Sequence, residues 1–223
     1  MREKIIQVDL MHDVSVIIRN RNESEYIGFS IQSVIDHFLK PQIIIVDNNS
    51  TDDSLEIANL FIDRVDIKIV EIKDYTPGKS INLGVSKSES ENILVLSGHS
   101  QITSLDYNRV NCLLEKYAAV FGQQNPVYKG KKISKRYVWS HFQDVDKINM
   151  FSEIENRHFL HNAFCFYKRS FLIDNPMPEN LSGKEDRYWA DKIVKNGLEY
   201  YYLSDIKCNH FYTGNGSTWK GLG

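Results

Sequence analysis

Through its first hundred residues the chain alternates apolar runs with polar clusters. Val14-Ser15-Val16-Ile17-Ile18 runs into Arg19-Asn20-Arg21-Asn22-Glu23, and Ile43-Ile44-Ile45-Val46 runs into Asp47-Asn48-Asn49-Ser50. Unbroken β-branched stretches of this kind predict strands covered on both faces, as in the parallel sheets of α/β folds. Residues 65–72 alternate apolar and polar and predict a third strand, and Ile93-Leu94-Val95-Leu96, ending in Ser97-Gly98-His99-Ser100, predicts a fourth. The stretches between them carry helical spacing. Ile27, Ile31, Val34, Ile35, Phe38 and Leu39 predict a helix from about Glu25 to Leu39, stopped by Pro41. A second helix follows the capping residues Ser50–Ser54 and runs through Leu55, Ile57, Ala58, Leu60 and Phe61, and a third spans Ser80–Ser88 after a turn at Tyr75–Lys79. Strand, helix and strand in this order form right-handed βαβ units, so the polar clusters fall together at the strands' carboxyl ends. Open α/β sheets bind ligands at that edge.

The second half is less regular. From Phe121 to His161 it is polar and aromatic, with Gly122-Gln123-Gln124-Asn125-Pro126, then Tyr128, Tyr137, Trp139, Phe142 and Phe151 beside a basic run of Lys129, Lys131, Lys132, Lys135 and Arg136. His158 and His161 have a ligand-like helical spacing, but no third partner is nearby and a structural role is expected. Ala163–Tyr167 reads as a return to the sheet, Glu185–Asn196 as a helix ended by Gly197, Tyr200–Leu203 as a last strand with His210 after it, and Thr213–Trp219 as a loop.

Composition narrows the class. With 223 residues, 42% hydrophobic and 25% charged, the chain can bury a full core in one domain. A net charge of −2 gives no global electrostatic case for nucleic acid. Cys112, Cys165 and Cys208 are odd in number and widely spaced, which fits reduced thiols. No apolar run approaches the ~20 residues of a membrane span, and the amino-terminal residues lack a signal-type core. A cytoplasmic protein is expected, with contact to a membrane surface left open.

In order and position these segments resemble the family 2 glycosyltransferases of the GT-A fold. Val14–Glu23 is similar to the family's first strand and base-binding loop, and Ile43–Asp53 to its strand-Asp-x-x-Ser-x-Asp signature. Lys79-Ser80-Ile81-Asn82-Leu83-Gly84 resembles the segment before the central strand, and Gly183-Lys184-Glu185-Asp186 with Trp189-Ala190 resembles the acidic motif that carries the catalytic base. His210 stands where the family often has a late metal-ligating histidine. The resemblance covers about residues 13–219. It implies a single GT-A domain, with a nucleotide-sugar half over about 13–100 and an acceptor and catalytic half over about 101–219.

The same resemblance implies roles. Asn20, Arg21, Glu23 and Asp47 would frame the donor's base and ribose, Lys79 and Asn82 would reach toward the nucleotide or sugar, and Ser97, Gly98 and His99 would face the diphosphate. UDP is the commonest donor nucleotide in the family. Asp186 is the expected base because an acceptor hydroxyl must lose its proton as it attacks, and Glu185 beside it would orient the acceptor or raise a neighbouring pKa. The amino end of the helix favours a carboxylate there.

One departure is plain. Where the family usually places Asp-x-Asp to hold a divalent cation, this chain has Ser97-Gly98-His99. His99 and His210 could together hold Mn²⁺ or Mg²⁺ with the diphosphate oxygens; alternatively His99, Lys79 or a basic loop residue could offset the leaving group's charge without metal, or the site could be inactive. Imidazole lacks the charge that makes carboxylates good Mg²⁺ ligands.

The implied activity is an inverting, nonprocessive transfer of one sugar from a nucleotide-diphosphate donor to a hydroxyl of a glycan or lipid-linked glycan. The processive enzymes' Gln-x-x-Arg-Trp element and membrane spans are lacking. The middle aromatics would stack on acceptor sugars, and the basic run could meet lipid head groups or an acceptor phosphate. A competing reading is a catalytically silent nucleotide- or glycan-binding subunit of the same fold. A nucleotidyltransferase is disfavoured, because Asn20-Arg21-Asn22-Glu23 lacks the glycines of a phosphate-cradling loop.

Overall fold

The computed structural model describes residues 12–132 and 137–214. Its first half is the expected alternation: β1 (Val14–Asn20), α1 (Ile27–His37), β2 (Pro41–Asp47), α2 (Ser54–Asn59), β3 (Asp66–Glu71), α3 (Pro77–Lys87) and β4 (Asn92–Ser97). Strands β3, β2, β1 and β4 lie side by side in that order and are parallel, with Ile17 opposite both Ile44 and Val95. These central residues are fully buried because both faces of the sheet carry an apolar layer, one around Ile17, Ile44 and Trp189, the other around Ile18, Ile31 and Phe166. The expected turn at Tyr75–Lys79 is instead largely the first turn of α3: Pro77 opens the helix and the Thr76 hydroxyl accepts from the Lys79 N–H at 3.1 Å. The second helix stops at Asn59 rather than running through Phe61.

The second half adds β5 (Ser100–Ser104), α4 (Tyr107–Leu114), β6 (Val120–Tyr128), the short strands β7 (Lys131–Lys132), β8 (Lys147–Ile148), β9 (Phe151–Ser152) and β10 (Arg157–His158), then β11 (Phe164–Lys168), α5 (Arg169–Asp174), α6 (Glu185–Lys195) and β12 (Tyr201–Phe211). The strand order continues β4-β11-β6-β12-β5, with β11 antiparallel to β4 and β6 and β12 parallel to β6. Two expectations are corrected here. The polar and aromatic stretch from Phe121, to which no element was assigned, opens within a nine-residue strand inside the sheet. The last strand does not end at Leu203 but continues to Phe211, so His210 is a strand residue rather than one beyond the strand.

A geometric constraint shapes this half. Only Gly98 and His99 separate β4 from β5, yet three other strands stand between them in the sheet. Four strand spacings in a flat sheet amount to roughly 19 Å, whereas three residue steps reach at most about 11 Å. The sheet must therefore curl, and it does so at β12, whose pairing shifts register between Leu203 and Lys207 against β6 and between Lys207 and Cys208 against β5. The curl sets His210 opposite Ser100, with the Phe211 N–H donating to the His99 carbonyl at 2.9 Å.

The three cysteines are free, Cys165 and Cys208 in the core and Cys112 exposed. No helix among the described residues is long and apolar enough to cross a membrane.

Glycine fixes one close approach. A Cβ on Gly78 would stand 2.0 Å from the Pro178 carbonyl oxygen, so only glycine lets α3 meet the segment that leads to α6. Gly78→Ala is expected to destabilise by about 1–3 kcal/mol, as overpacking does. The check is the denaturation midpoint; an unchanged midpoint would mean that the Pro178 segment yields without cost.

Candidate functional site

A cavity of about 450 Å³ opens at the carboxyl ends of β1 and β4. One wall holds Arg19, Asn20, Arg21, Glu23, Asn48, Ser97 and His99; the facing wall holds Glu155, Asn162, Lys184, Glu185, Asp186 and Arg187. The first wall is shaped by the loops after parallel strands. Asp47 accepts from the Asn20 side-chain N–H at 2.8 Å, from the Ser50 N–H at 3.0 Å and from the Ser50 hydroxyl at 2.6 Å, which ties the β1 loop to the β2 loop. Gly98 lets the β4 turn lie against that loop, since a Cβ there would be 3.1 Å from the Arg19 carbonyl and 3.3 Å from Glu23 Cγ. Arg19 Nε, Asn20 Oδ1 and Glu23 Oε2 are buried without a hydrogen-bond partner. Three such atoms on one wall are what a polar ligand would satisfy.

The facing wall is set by the entry to α6. Lys184 is left-handed, with φ of 61°, and this turn directs Glu185 and Asp186, the first two helical residues, into the cavity. Both carboxylates are buried. Asp186 accepts from the Asn162 N–H at 3.1 Å, the Arg187 N–H at 2.9 Å and Arg187 Nη1 at 2.8 Å. Glu185 accepts from Arg19 Nη1 at 3.1 Å, a contact that spans the two walls. Burial, followed by the Asp186 charge, pushes the Glu185 pKa up, while Arg19 opposes the rise.

At one corner three histidines gather. His99 Nε2 stands 3.0 Å from His210 Nε2, and the ring of His161 lies 5.8 Å from that of His210. Burial, reinforced by the neighbouring histidines, holds the His210 pKa well below the ordinary value. Burial followed by Arg187 does the same for His161. His161 is thus not paired with His158 on a helix: His158 lies on β10 against Asp191 at 2.8 Å, while His161 faces the site.

The 3.0 Å between His99 Nε2 and His210 Nε2 suits a hydrogen bond and equally a shared divalent cation. Two nitrogens bound to one ion at about 2.1 Å lie roughly 3 Å apart when their bonds are perpendicular, and the observed separation is 3.0 Å. Among the described residues no set of three or more His, Cys, Asp or Glu is arranged around a metal position, so the protein would supply two ligands and leave the rest to a ligand and water. The cavity's formal charges give a second reason. Among the described residues, Arg19, Arg21, Lys184 and Arg187 balance Glu23, Glu155, Glu185 and Asp186, so these leave no surplus positive charge for a diphosphate.

Of the residues singled out in the sequence, Asn20, Arg21, Glu23, Ser97, His99, Glu185 and Asp186 line the cavity, with Gly98 shaping it and Asp47 and His210 just behind. Lys79 and Asn82 are not brought to it. Both lie on α3; Lys79 is ion-paired with Asp74, and Asn82 binds the Met177 carbonyl and Glu179 at 3.0 and 2.9 Å. Arg19, Gln124 and Glu155 were not singled out, because each acts through a partner distant in sequence; His161 was singled out only for its spacing to His158, and Arg187 not at all. The basic run falls partly, and the loop after Gly214 wholly, outside the described residues.

A parallel β3-β2-β1-β4 array whose carboxyl edge faces a carboxylate pair at a helix entry is the architecture of the GT-A glycosyltransferases. Among solved structures, Staphylococcus aureus TarS 1–349 in complex with UDP-GlcNAc superposes with a TM-score of 0.71 at 20% identity, covering 93% of this chain and 61% of that one. Mannosyltransferase PcManGT from Pyrobaculum calidifontis, in complex with GDP-Man and Mn²⁺, gives 0.68 at 16% identity over 91% of this chain and 58% of that one. In sequence, the O-antigen chain rhamnosyltransferase RfbN of Salmonella typhimurium is 24% identical over 196 residues, 77% of this chain and 58% of the relative. The Staphylococcus aureus poly(ribitol-phosphate) beta-N-acetylglucosaminyltransferase TarS is 23% identical over 211 residues, 87% of this chain and 35% of its own length. The chain belongs to glycosyl transferase family 2, whose model matches residues 15–175.

Proposed function

We propose that this protein transfers one sugar from a nucleotide-diphosphate donor, UDP-linked in the first instance, to a hydroxyl of a glycan or lipid-linked glycan, with inversion and without processive elongation. The observation that carries this reading is that the donor-side loops and the Glu185/Asp186 pair line a single cavity of about 450 Å³, within the range of small-molecule sites. Residues of about 13–100 would bind the nucleotide and those of about 101–219 the acceptor, within one domain. The relatives that bind UDP-GlcNAc or GDP-Man lend the donor class.

In the reaction the acceptor oxygen attacks the anomeric carbon, its proton passes to the Asp186 carboxylate, and the bond from that carbon to the diphosphate breaks with its electron pair leaving on the diphosphate. One displacement and no enzyme nucleophile imply inversion. Asn20, Arg21 and Glu23 would frame the base, and Arg19 would hold Glu185 away from the acceptor's proton. His99 and His210 would hold a divalent cation, which when bound neutralises charge on the leaving diphosphate. A cytoplasmic setting, with peripheral contact to lipid, belongs to the same proposal.

Thermal-shift measurements test donor binding without knowledge of the acceptor. UDP, GDP, CMP, dTDP and their sugar conjugates would each be added with Mn²⁺, Mg²⁺ or EDTA. A nucleotide at a hundred times its Kd is expected to stabilise by about 2.7 kcal/mol, and with metal only if the histidine pair holds a cation. Equal stabilisation in EDTA would favour the metal-free route. Binding without transfer across a broad acceptor panel would leave a silent binding subunit, and no response to any nucleotide would sink the transferase reading.

A further inference from the structure

Hydrogen-bond directions around the histidine corner can be followed from a fixed starting point. The Ala163 main-chain N–H donates to His161 Nδ1 at 3.3 Å, so that nitrogen carries no proton. Gln124 meets the same nitrogen at 3.1 Å and must present its NH₂ group there, which turns its carbonyl oxygen toward His210 Nδ1 at 2.9 Å. His210 Nδ1 is therefore the protonated nitrogen, and its Nε2 bears the lone pair. On the other side the Glu23 carboxylate faces His99 Nδ1 at 3.0 Å, so His99 also carries a hydrogen on Nδ1, and in the neutral ring its Nε2 presents a lone pair. With both rings neutral the two Nε2 atoms, 3.0 Å apart, are both acceptors, an arrangement that repels unless a proton or a metal cation joins them.

We propose that Gln124 is a positioning residue that, with its amide oriented by His161 and the Ala163 N–H, fixes His210 so that His99 and His210 form an all-nitrogen clip selecting a borderline transition metal over Mg²⁺. This rests on the reading that the two histidines hold the donor-linked cation. The selectivity follows from ligand type: imidazole suits zinc, nickel and iron, whereas Mg²⁺ prefers carboxylates and water. The positioning role follows from outer partners that lock a ligating histidine's tautomer and strengthen its binding. Gln124 is buried on β6 and owes its place to the curl that lays β12 against that strand. Nothing in its local sequence, Gly122-Gln123-Gln124-Asn125-Pro126, marks it.

The test uses the full chain with Co²⁺ as an absorbing probe, titrated with and without UDP and followed by its visible bands, with Mg²⁺ as competitor. Wild type is expected to bind Co²⁺ at least about tenfold more tightly than Mg²⁺. Gln124→Met, which removes the acceptor for His210 Nδ1–H, is expected to weaken Co²⁺ binding about 10–100-fold and shift the spectrum, while Gln124→Glu, which keeps an acceptor oxygen for His210 but loses the N–H that faces His161, is expected to weaken it less. Unchanged binding in Gln124→Met, or equal weakening in both variants, would overturn the positioning role while leaving the cation site in place. Mg²⁺ displacing Co²⁺ at equal concentration would overturn the selectivity. UDP binding that persists in EDTA with no Co²⁺ signal in wild type would overturn the cation reading itself, and the close contact would then be a hydrogen bond from a protonated His99.

Discussion

Asp186→Asn is expected to lower turnover about 10²–10⁴-fold, the usual contribution of a positioned base, while nucleotide affinity stays within a few-fold of wild type. Asparagine keeps the size of the side chain and an oxygen for the Asn162 N–H and Arg187, which donate to Asp186 at 3.1 and 2.8 Å, so the entry to α6 should survive. What it loses is the capacity to take the acceptor's proton. Glu185→Gln should cost less, because that carboxylate is engaged by Arg19 across the cavity. Single-turnover transfer with the donor found by thermal shift separates the two. Near-normal turnover in Asp186→Asn would reject the assigned base; a larger loss in Glu185→Gln would move the role to Glu185, whose raised pKa makes it a stronger base than an ordinary carboxylate.

Removing one imidazole of the clip should have the next largest effect. His210→Asn and His99→Asn are each expected to reduce metal-stimulated transfer about 10²–10³-fold, on the scale of losing one electrostatic stabiliser of a developing anion. Each should also bring the wild-type and EDTA-treated rates together. The balanced formal charge of the cavity's described residues makes this loss severe, since none of them is a surplus cation to replace the metal against the diphosphate. His161→Asn lacks direct contact with the cation in this reading and should lose less. If His210→Asn transfers as wild type does in both metal and EDTA, the leaving group is stabilised without metal and Arg19 or Arg21 becomes the group to examine.

How much of this was legible in the chain varies by element. The parallel half was legible because β1, β2 and β4 are buried on both faces, so Ile17-Ile18, Ile43–Val46 and Ile93–Leu96 carry an apolar signal that needs no partner to be recognised, while the edge strand β3 showed itself by alternation. The α6 entry was legible too, since Glu185-Asp186 followed by Trp189-Ala190 combines first-turn acids with a buried helical face. Strand β6 was not. Its Gly122-Gln123-Gln124 segment is buried but polar, because these residues serve hydrogen bonds, Gln123 to the Phe142 carbonyl and Gln124 to two histidines, instead of packing against apolar neighbours. The end of β12 was hidden for the same reason, with Asn209 and His210 breaking the apolar pattern inside a continuous strand.

The sequence by itself determined the α/β class, the edge of the sheet where chemistry gathers, the acidic pair at a helix start and a Ser97-Gly98-His99 turn without carboxylates after the fourth strand. All of these depend on residues within a few positions of one another, where side-chain periodicity and capping act. Only the tertiary structure decided that Lys79 and Asn82 stay outside the cavity, that Arg19 reaches Glu185, and that His99, Gln124, His161 and His210 share one hydrogen-bonded corner. His99 and His210 are 111 residues apart and meet only because two intervening residues cannot span a flat sheet, so the sheet curls and carries the end of β12 back to the end of β4.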